Sequence, residues 1–171
     1  MTDWTRSPFE PDIAKVRRVP GVEAMLREVC DLTGLGFAAI ARVTDTHWVA
    51  CQVQDRIEFG LKPGDELDLK TTICDEIRQC GWHVIIDHAS DHPDWRTHHT
   101  PAMYGFESYI SVPIRREDGF FGTLCAIDPK PSRQPLALLF PRIKAMAEEI
   151  AAALDAEDAQ LRGRQVSTRQ P

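Results

Sequence analysis

Between Ser108 and Asp128 the sequence reads SYISVPIRREDGFFGTLCAID, two apolar runs of period two joined by the charged segment Arg115-Arg116-Glu117-Asp118-Gly119. Such alternation around a glycine-containing turn specifies an antiparallel hairpin, and its aliphatic content places that hairpin in a core. The strands also carry Ser108, Tyr109, Ser111, Thr123 and Cys125. Polar groups scattered among aliphatics in this way are expected of a sheet that walls a small-molecule pocket.

The other elements are read around this hairpin. Residues 1–18 are mixed in charge, contain Pro8 and Pro11 and lack sustained periodicity, which predicts an N-terminal arm that is loose or docks on another surface. A helix is predicted over residues 19–33, with Pro20 in its first turn, a stripe of Val22, Met25, Leu26 and Val29, and Gly34 as a left-handed cap. Residues 37–43 and 47–53 read as strands around the turn Thr44-Asp45-Thr46. Residues 54–70, charged and punctuated by Pro63-Gly64, predict a surface loop with at most one short strand.

Thr71 or Thr72 can then cap a helix through Cys80, with Asp75 and Glu76 in its first turn and Gly81 ending it. Residues 83–86 read as a short buried strand, residues 87–100 as a loop dense in Asp, His and Trp, and residues 101–105 as a helical turn. In residues 136–161, Leu136, Leu139, Ile143, Ala147, Ile150, Leu154 and Leu161 fall mostly three or four apart, a long helix with a narrow apolar seam that predicts a partner helix. A polar tail, residues 162–171, follows. The order of elements specifies an α+β domain over residues 19–161 with an antiparallel sheet covered by helices.

Composition narrows the partners. A chain of 171 residues, 43% of them hydrophobic, can bury one sizeable core, and a net charge of -6 argues against nucleic acid, whose phosphates require a positive surface. No apolar run approaches the roughly 20 residues of a membrane span. Met1-Thr2-Asp3-Trp4 lacks the features of a signal peptide, so a soluble, cytoplasmic protein with no membrane partner is expected. The five cysteines, Cys30, Cys51, Cys74, Cys80 and Cys125, are odd in number and contain no C-x-x-C pair, which argues against a disulfide framework or a zinc knuckle and makes most of them small core hydrophobes.

Four segments together carry a resemblance: TTICDEI at 71–77, VIID at 84–87, YGFESYISVPI at 104–114 and FGTLCAID at 121–128. With the order of elements, they resemble a bacterial GAF domain, the sensor module found upstream of histidine kinases, cyclases and phosphodiesterases and in phytochrome-related proteins. The resemblance spans roughly residues 20–155. It implies a central antiparallel sheet of five or six strands with helices on one face and a ligand pocket on the other, a homodimer formed through the first and last helices, and signal passed along the last helix to an output domain such as a histidine kinase. It does not identify the ligand or any cofactor, because one fold hosts many functions. Covalent bilin attachment is disfavoured: the corresponding position falls near Trp95-Arg96-Thr97, where no cysteine occurs.

Within that frame the expected pocket lies between the hairpin and the loop over residues 87–99. Trp95, Tyr104 and Phe106 can close over the sheet as a lid, Asp87, His88, Arg96 and Ser108 can present polar groups to a ligand, and the helix beginning at Thr71 and carrying Cys74 forms a third wall. The loop's His and Asp residues are read as caps of turns rather than as metal ligands. The leading expectation is therefore a non-catalytic domain sensing a small molecule. Two alternatives stand beside it. One is a redox enzyme resembling the free methionine-(R)-sulfoxide reductases, with Cys74 as nucleophile at a helix N-terminus, although Asp75 and Glu76 adjoin it and the reductases' cysteine pattern is not reproduced. The other is a dimerisation module without a ligand.

Overall fold

The computed structural model describes residues 7–169; residues 1–6, Trp4 among them, and residues 170–171 lie outside the described residues. Helix α1 (Glu10–Arg18) forms where the sequence shows no periodicity. Its nine residues bury only Val16 fully, too little for a pattern, but Pro11 suits the first turn, and acidic Glu10 and Asp12 at one end with Lys15, Arg17 and Arg18 at the other complement the helix dipole. The arm docks on its own domain: Lys15 Nζ reaches Asp158 Oδ1 at 2.6 Å and Asp12 Oδ2 accepts from Arg42 Nε at 3.2 Å.

Helix α2 (Val22–Thr33) buries Val22, Leu26, Val29, Cys30 and Thr33, and ends at Gly34, whose φ of 73° lets its N–H close on the Cys30 carbonyl. Six strands follow: β1 (Phe37–Val43), β2 (Trp48–Asp55), β3 (Glu66–Leu67), β4 (Val84–Ile86), β5 (Ser108–Arg116) and β6 (Gly119–Asp128). They form one antiparallel sheet in the order β3-β2-β1-β6-β5-β4. Helices α3 (Ile73–Cys80), α4 (His99–Tyr104) and α5 (Phe140–Ser167) complete the domain.

Period-two alternation divides the sheet between two cores. Ala38, Ile40, Ile110, Val112, Ile114, Leu124 and Ala126 face α1, α2 and α5. Phe37, Ala39, Tyr109, Cys125 and Ile127 face the other way, toward α3 and the loops around α4. A bulge opposite Ile40 and Ala41 makes Cys51 an extra residue in β2. It resets the alternation, so that Trp48, Ala50 and Val53 all lie on the α3 face. Strands β1 and β6 approach closely at Gly122, where an added Cβ would lie 1.8 Å from the Ala41 carbonyl oxygen.

Helix α5 departs from the sequence reading in two respects. It runs through Gly163 to Ser167, where a polar tail was expected. Its apolar seam is also covered as far as Leu154, with Ile143, Met146, Ala147, Ile150, Ala151 and Leu154 buried against the domain's own sheet and helices, while Leu161 is exposed. A stripe of that spacing fits a sheet as well as a partner helix, and periodicity alone does not distinguish them.

Arg116, in the charged segment between the two runs, has a side chain only 8% exposed, with Nε donating to Asp155 Oδ1 at 2.9 Å and Nη2 bonded to Asp158. Together with Lys15 it ties the β5–β6 tip to α5 and α1. The hydrogen bonds from Lys15 and then Arg116 hold the Asp158 carboxyl down from 3.8 to about 2. Because the folded value lies below the unfolded one, this stabilisation is present above the unfolded pKa and lost as the pH falls through 2. Asp158→Asn is therefore expected to cost about 1–2 kcal/mol near neutral pH, after allowance for solvent screening, and almost nothing near pH 2. Urea melts across that range check it.

Candidate ligand cavity and its thiol pair

On the α3 face, the middle of the sheet is made of small side chains. Ala39 and Ala41 pair across β6 with Cys125 and Thr123, and Ser111 of β5 lies opposite Cys125. Larger groups, Phe37, Trp48, Tyr109 and Ile127, surround them. This depressed floor lets α3 pack closely and lower Cys74 onto it. Residues 73, 74 and 77 are all buried, held by a turn in which Thr72 Oγ1 donates to the Leu69 carbonyl at 2.7 Å.

Between α3, α4 and the floor is a cavity of about 50 Å³, lined by uncharged residues that include Phe37, Trp48, Cys74, Tyr104, Phe106 and Cys125. Outside it lies a groove of about 420 Å³ that shares Phe59, Leu61, Leu67, Tyr104, Phe106 and Ile127 as walls. These shared side chains separate the two spaces. Phe59 is held by an anchored turn: the Asp55 carboxylate accepts the N–H groups of Ile57, Phe59 and Gly60 at 2.9–3.1 Å, while Glu58 takes a left-handed φ of 54°. Partial burial opposes the Asp55 charge, but the bonds from Gly60, Phe59 and Ile57 lower its pKa overall. Across the gap, the Tyr104 hydroxyl is hydrogen-bonded to Thr71 Oγ1.

The polar content of the cavity wall is concentrated at one point. Cys74 Sγ lies 3.2 Å from Thr123 Oγ1 and 3.6 Å from the Tyr109 hydroxyl. Cys125 lines the same wall, two residues along β6 from Thr123, and its thiol interacts electrostatically with the Cys74 sulfur. Trp48 Nε1, on the same wall, is buried with no hydrogen-bond partner among the described residues. Elsewhere burial governs the thiols, pushing Cys30 up to about 11 and Cys51 up to about 12. At Cys74 the surrounding groups, Cys125 first and then Thr123 and Tyr109, outweigh burial and lower the pKa. Its neighbour Cys125 is driven the other way, first by its interaction with Cys74 and then by burial. The two thiols thus divide into a better ionised member and a proton-holding one.

A family model for the GAF domain matches residues 22–154. The chain belongs to the GAF domain family. Solved structures share its fold at low sequence identity. The PixJ GAF domain of Thermosynechococcus elongatus superposes with a TM-score of 0.67 at 11% identity, over 95% of this chain and 96% of that one. The GAF-B domain of DevS from Mycobacterium smegmatis gives 0.61 at 17%, over 88% and 98%. A free methionine-R-sulfoxide reductase from Neisseria meningitidis gives 0.59 at 17%, over 86% and 88%. No curated protein matches the chain in sequence.

The GAF domain brings only part of the sequence-expected site together. Cys74, Tyr104 and Phe106 line the cavity, and Thr71 braces it through Tyr104. Trp95 and Arg96 line a separate groove of about 300 Å³, beyond Phe106. His88 is on the surface, where Nδ1 meets Asp91 Oδ2 at 3.0 Å. Asp87 Oδ1 accepts from the Leu136 N–H at 2.9 Å, and Ser108 Oγ donates to the Lys130 carbonyl at 2.7 Å. Both therefore secure the connection that follows β6. Among the described residues no group of three or more His, Cys, Asp or Glu is placed to hold a metal ion. Likewise, no helix among them is long and apolar enough to cross a membrane.

Tyr109, Thr123 and Cys125 were expected on the pocket's sheet wall as part of the hairpin, whereas Trp48 and Phe59 were not among the expected pocket residues. Trp48 and Cys125 are 77 positions apart and meet only at this cavity. A usable signal was the row of small residues, Ala39, Ala41 and Ala50, at period-two positions that share a face with Phe37 and Trp48.

Proposed function

We propose that this GAF domain is a non-catalytic sensor whose ligand is a small uncharged molecule entering the cavity between α3 and the sheet. The observation that carries the reading is an uncharged cavity wall with a buried, unpartnered donor, Trp48 Nε1. A buried N–H without a good acceptor is destabilising, and a ligand oxygen or nitrogen beside it would relieve that cost. An ionic ligand is disfavoured because its charge would be buried without a partner. Occupancy would act on α3 and on the Phe59 and Tyr104 side chains that separate cavity from groove, and would shift the domain only through unequal affinity for two arrangements of these parts.

The test is a thermal-shift series of short alcohols, ketones and nitriles against carboxylate and phosphate controls. A ligand at 100 times its Kd should stabilise the fold by about 2.7 kcal/mol. Trp48→Phe should weaken binding about tenfold, the worth of one hydrogen bond. Stabilisation by the charged controls alone would overturn the reading.

A second reading is sulfoxide reduction, the activity named for the Neisseria meningitidis neighbour, with the Cys74 and Cys125 thiols as its reductant. The cavity favours sensing: at about 50 Å³ it has no room for an amino acid beside Cys74. One water needs about 10–15 Å³ of such space, so the cavity suits a molecule of a few heavy atoms.

A further inference from the structure

We propose that Cys74 and Cys125 form a peroxide-reactive dithiol site, in which a peroxide that has entered the cavity is reduced and the two sulfurs close a disulfide between α3 and β6. This deepens the sensor reading, because it names a class of molecule for the same cavity, and it rests on that cavity being reachable from the outer groove. Three observations point to it. Two cysteines from distant parts of the chain line the same cavity wall, and Cys74 hydrogen-bonds to Thr123, two residues from Cys125 on β6. Two hydroxyl groups, those of Thr123 and Tyr109, converge on one of them, Cys74, at 3.2 and 3.6 Å. The space beside them matches a molecule of two to four heavy atoms.

The chemistry balances with peroxide as the sole oxidant. The Cys74 thiolate attacks one peroxide oxygen, an S–O bond forms and the O–O bond breaks. The departing oxygen leaves as hydroxide or alkoxide and takes up the proton released by the Cys74 thiol, giving water or an alcohol. The sulfenic acid on Cys74 is then attacked by the Cys125 sulfur. The S–S bond forms, the S–O bond breaks, and the hydroxyl leaves with the Cys125 proton as water. Two thiols are oxidised by two electrons and one peroxide is reduced by two. Thr123 and Tyr109 act as positioning groups that hold the thiolate in place.

The exposed Cys80 is a competing thiol, so the experiment uses reduced protein carrying Cys80→Ser. Treated with one equivalent of hydrogen peroxide, it should lose two hydrogens in intact mass and yield a peptide linking Cys74 to Cys125. Adding Cys125→Ser should halt the reaction at a sulfenic acid on residue 74, trapped by dimedone. Adding Cys74→Ser instead should slow peroxide consumption at least about tenfold and leave Cys125 free to alkylate. Both thiols remaining alkylatable after peroxide treatment, or oxidation falling on Cys30 or Cys51, overturns the proposal.

Peptide mapping on the Cys80→Ser protein decides this even where a further variant fails to fold. The uncharged probe series, repeated on protein with Cys74 and Cys125 both changed to Ser, separates the two readings. Binding without disulfide formation in the parent removes the thiol site alone. Disulfide formation without any probe binding removes the cavity reading alone.

Discussion

Ile150→Asp is expected to unfold the domain. Ile150 is fully buried where α5 packs on the sheet, in the same cluster as Ile110, Val112 and Leu124. Loss of its apolar burial removes about 1.5–3 kcal/mol, and an unpaired carboxylate in that position adds several more. The sum, about 5 kcal/mol or greater, is comparable with the whole stability of a domain of this size. The measurement is circular dichroism with sedimentation: loss of the folded signal is expected at neutral pH. A folded monomer would instead mean that Ile150 sits in an interface between copies, as its spacing in the sequence suggests, and that the sheet does not depend on it.

Gly122→Ala should be the next most damaging change, although it adds a single methyl group. The new Cβ would lie 1.8 Å from the Ala41 carbonyl oxygen and 2.8 Å from the carbonyl carbon. Both are backbone atoms of a strand at the centre of the sheet, so neither can rotate aside. Strands β1 and β6 must separate, which breaks their ladder and disturbs the neighbouring Thr123 on the cavity floor. A loss of about 3 kcal/mol or more is expected, at the upper end for overpacking. In urea the midpoint should fall with the slope unchanged. A midpoint within error of the wild type would show that the two strands are not so closely apposed in solution.

How much of this was legible in the sequence depended on how local the determining pattern was. The β5–β6 hairpin and α2 were readable because alternation and a helical stripe with a glycine cap are contained in a single stretch of chain. Helix α1 was not, since its stability comes from Lys15 and Asp12 reaching Asp158 and Arg42, partners far away in sequence. The buried face of α5 was correctly seen as apolar, but what covers it is a tertiary fact.

The candidate site divides in the same way. Cys74, Tyr104 and Phe106 lay in segments that stood out by themselves. Asp87 and Ser108 also stood out, as polar groups beside a core, yet each hydrogen-bonds to backbone in the connection beyond β6, a common use of buried polar side chains. The sulfur cluster required three elements to meet: β2 for Trp48, α3 for Cys74 and β6 for Cys125. None of the three residues has a local pattern that announces the others, and Trp48 in particular reads as ordinary packing.

The clamp of Arg116 and Lys15 on Asp155 and Asp158 sets a fulcrum. Beyond it, from Ala159 to Ser167, every residue of α5 is exposed, nine residues of helix of which Gln160, Leu161 and Arg164 share a groove with Arg18, Val19 and Pro20. At 1.5 Å per residue this stretch is about 13 Å long. A tilt of about 10° at the clamp would carry its far end about 2 Å, while the atoms beside the fulcrum barely move. Arg116 sits at the tip of the hairpin that also contributes Thr123 and Cys125 to the cavity floor, so a slight change in the floor's pitch is magnified at Ser167.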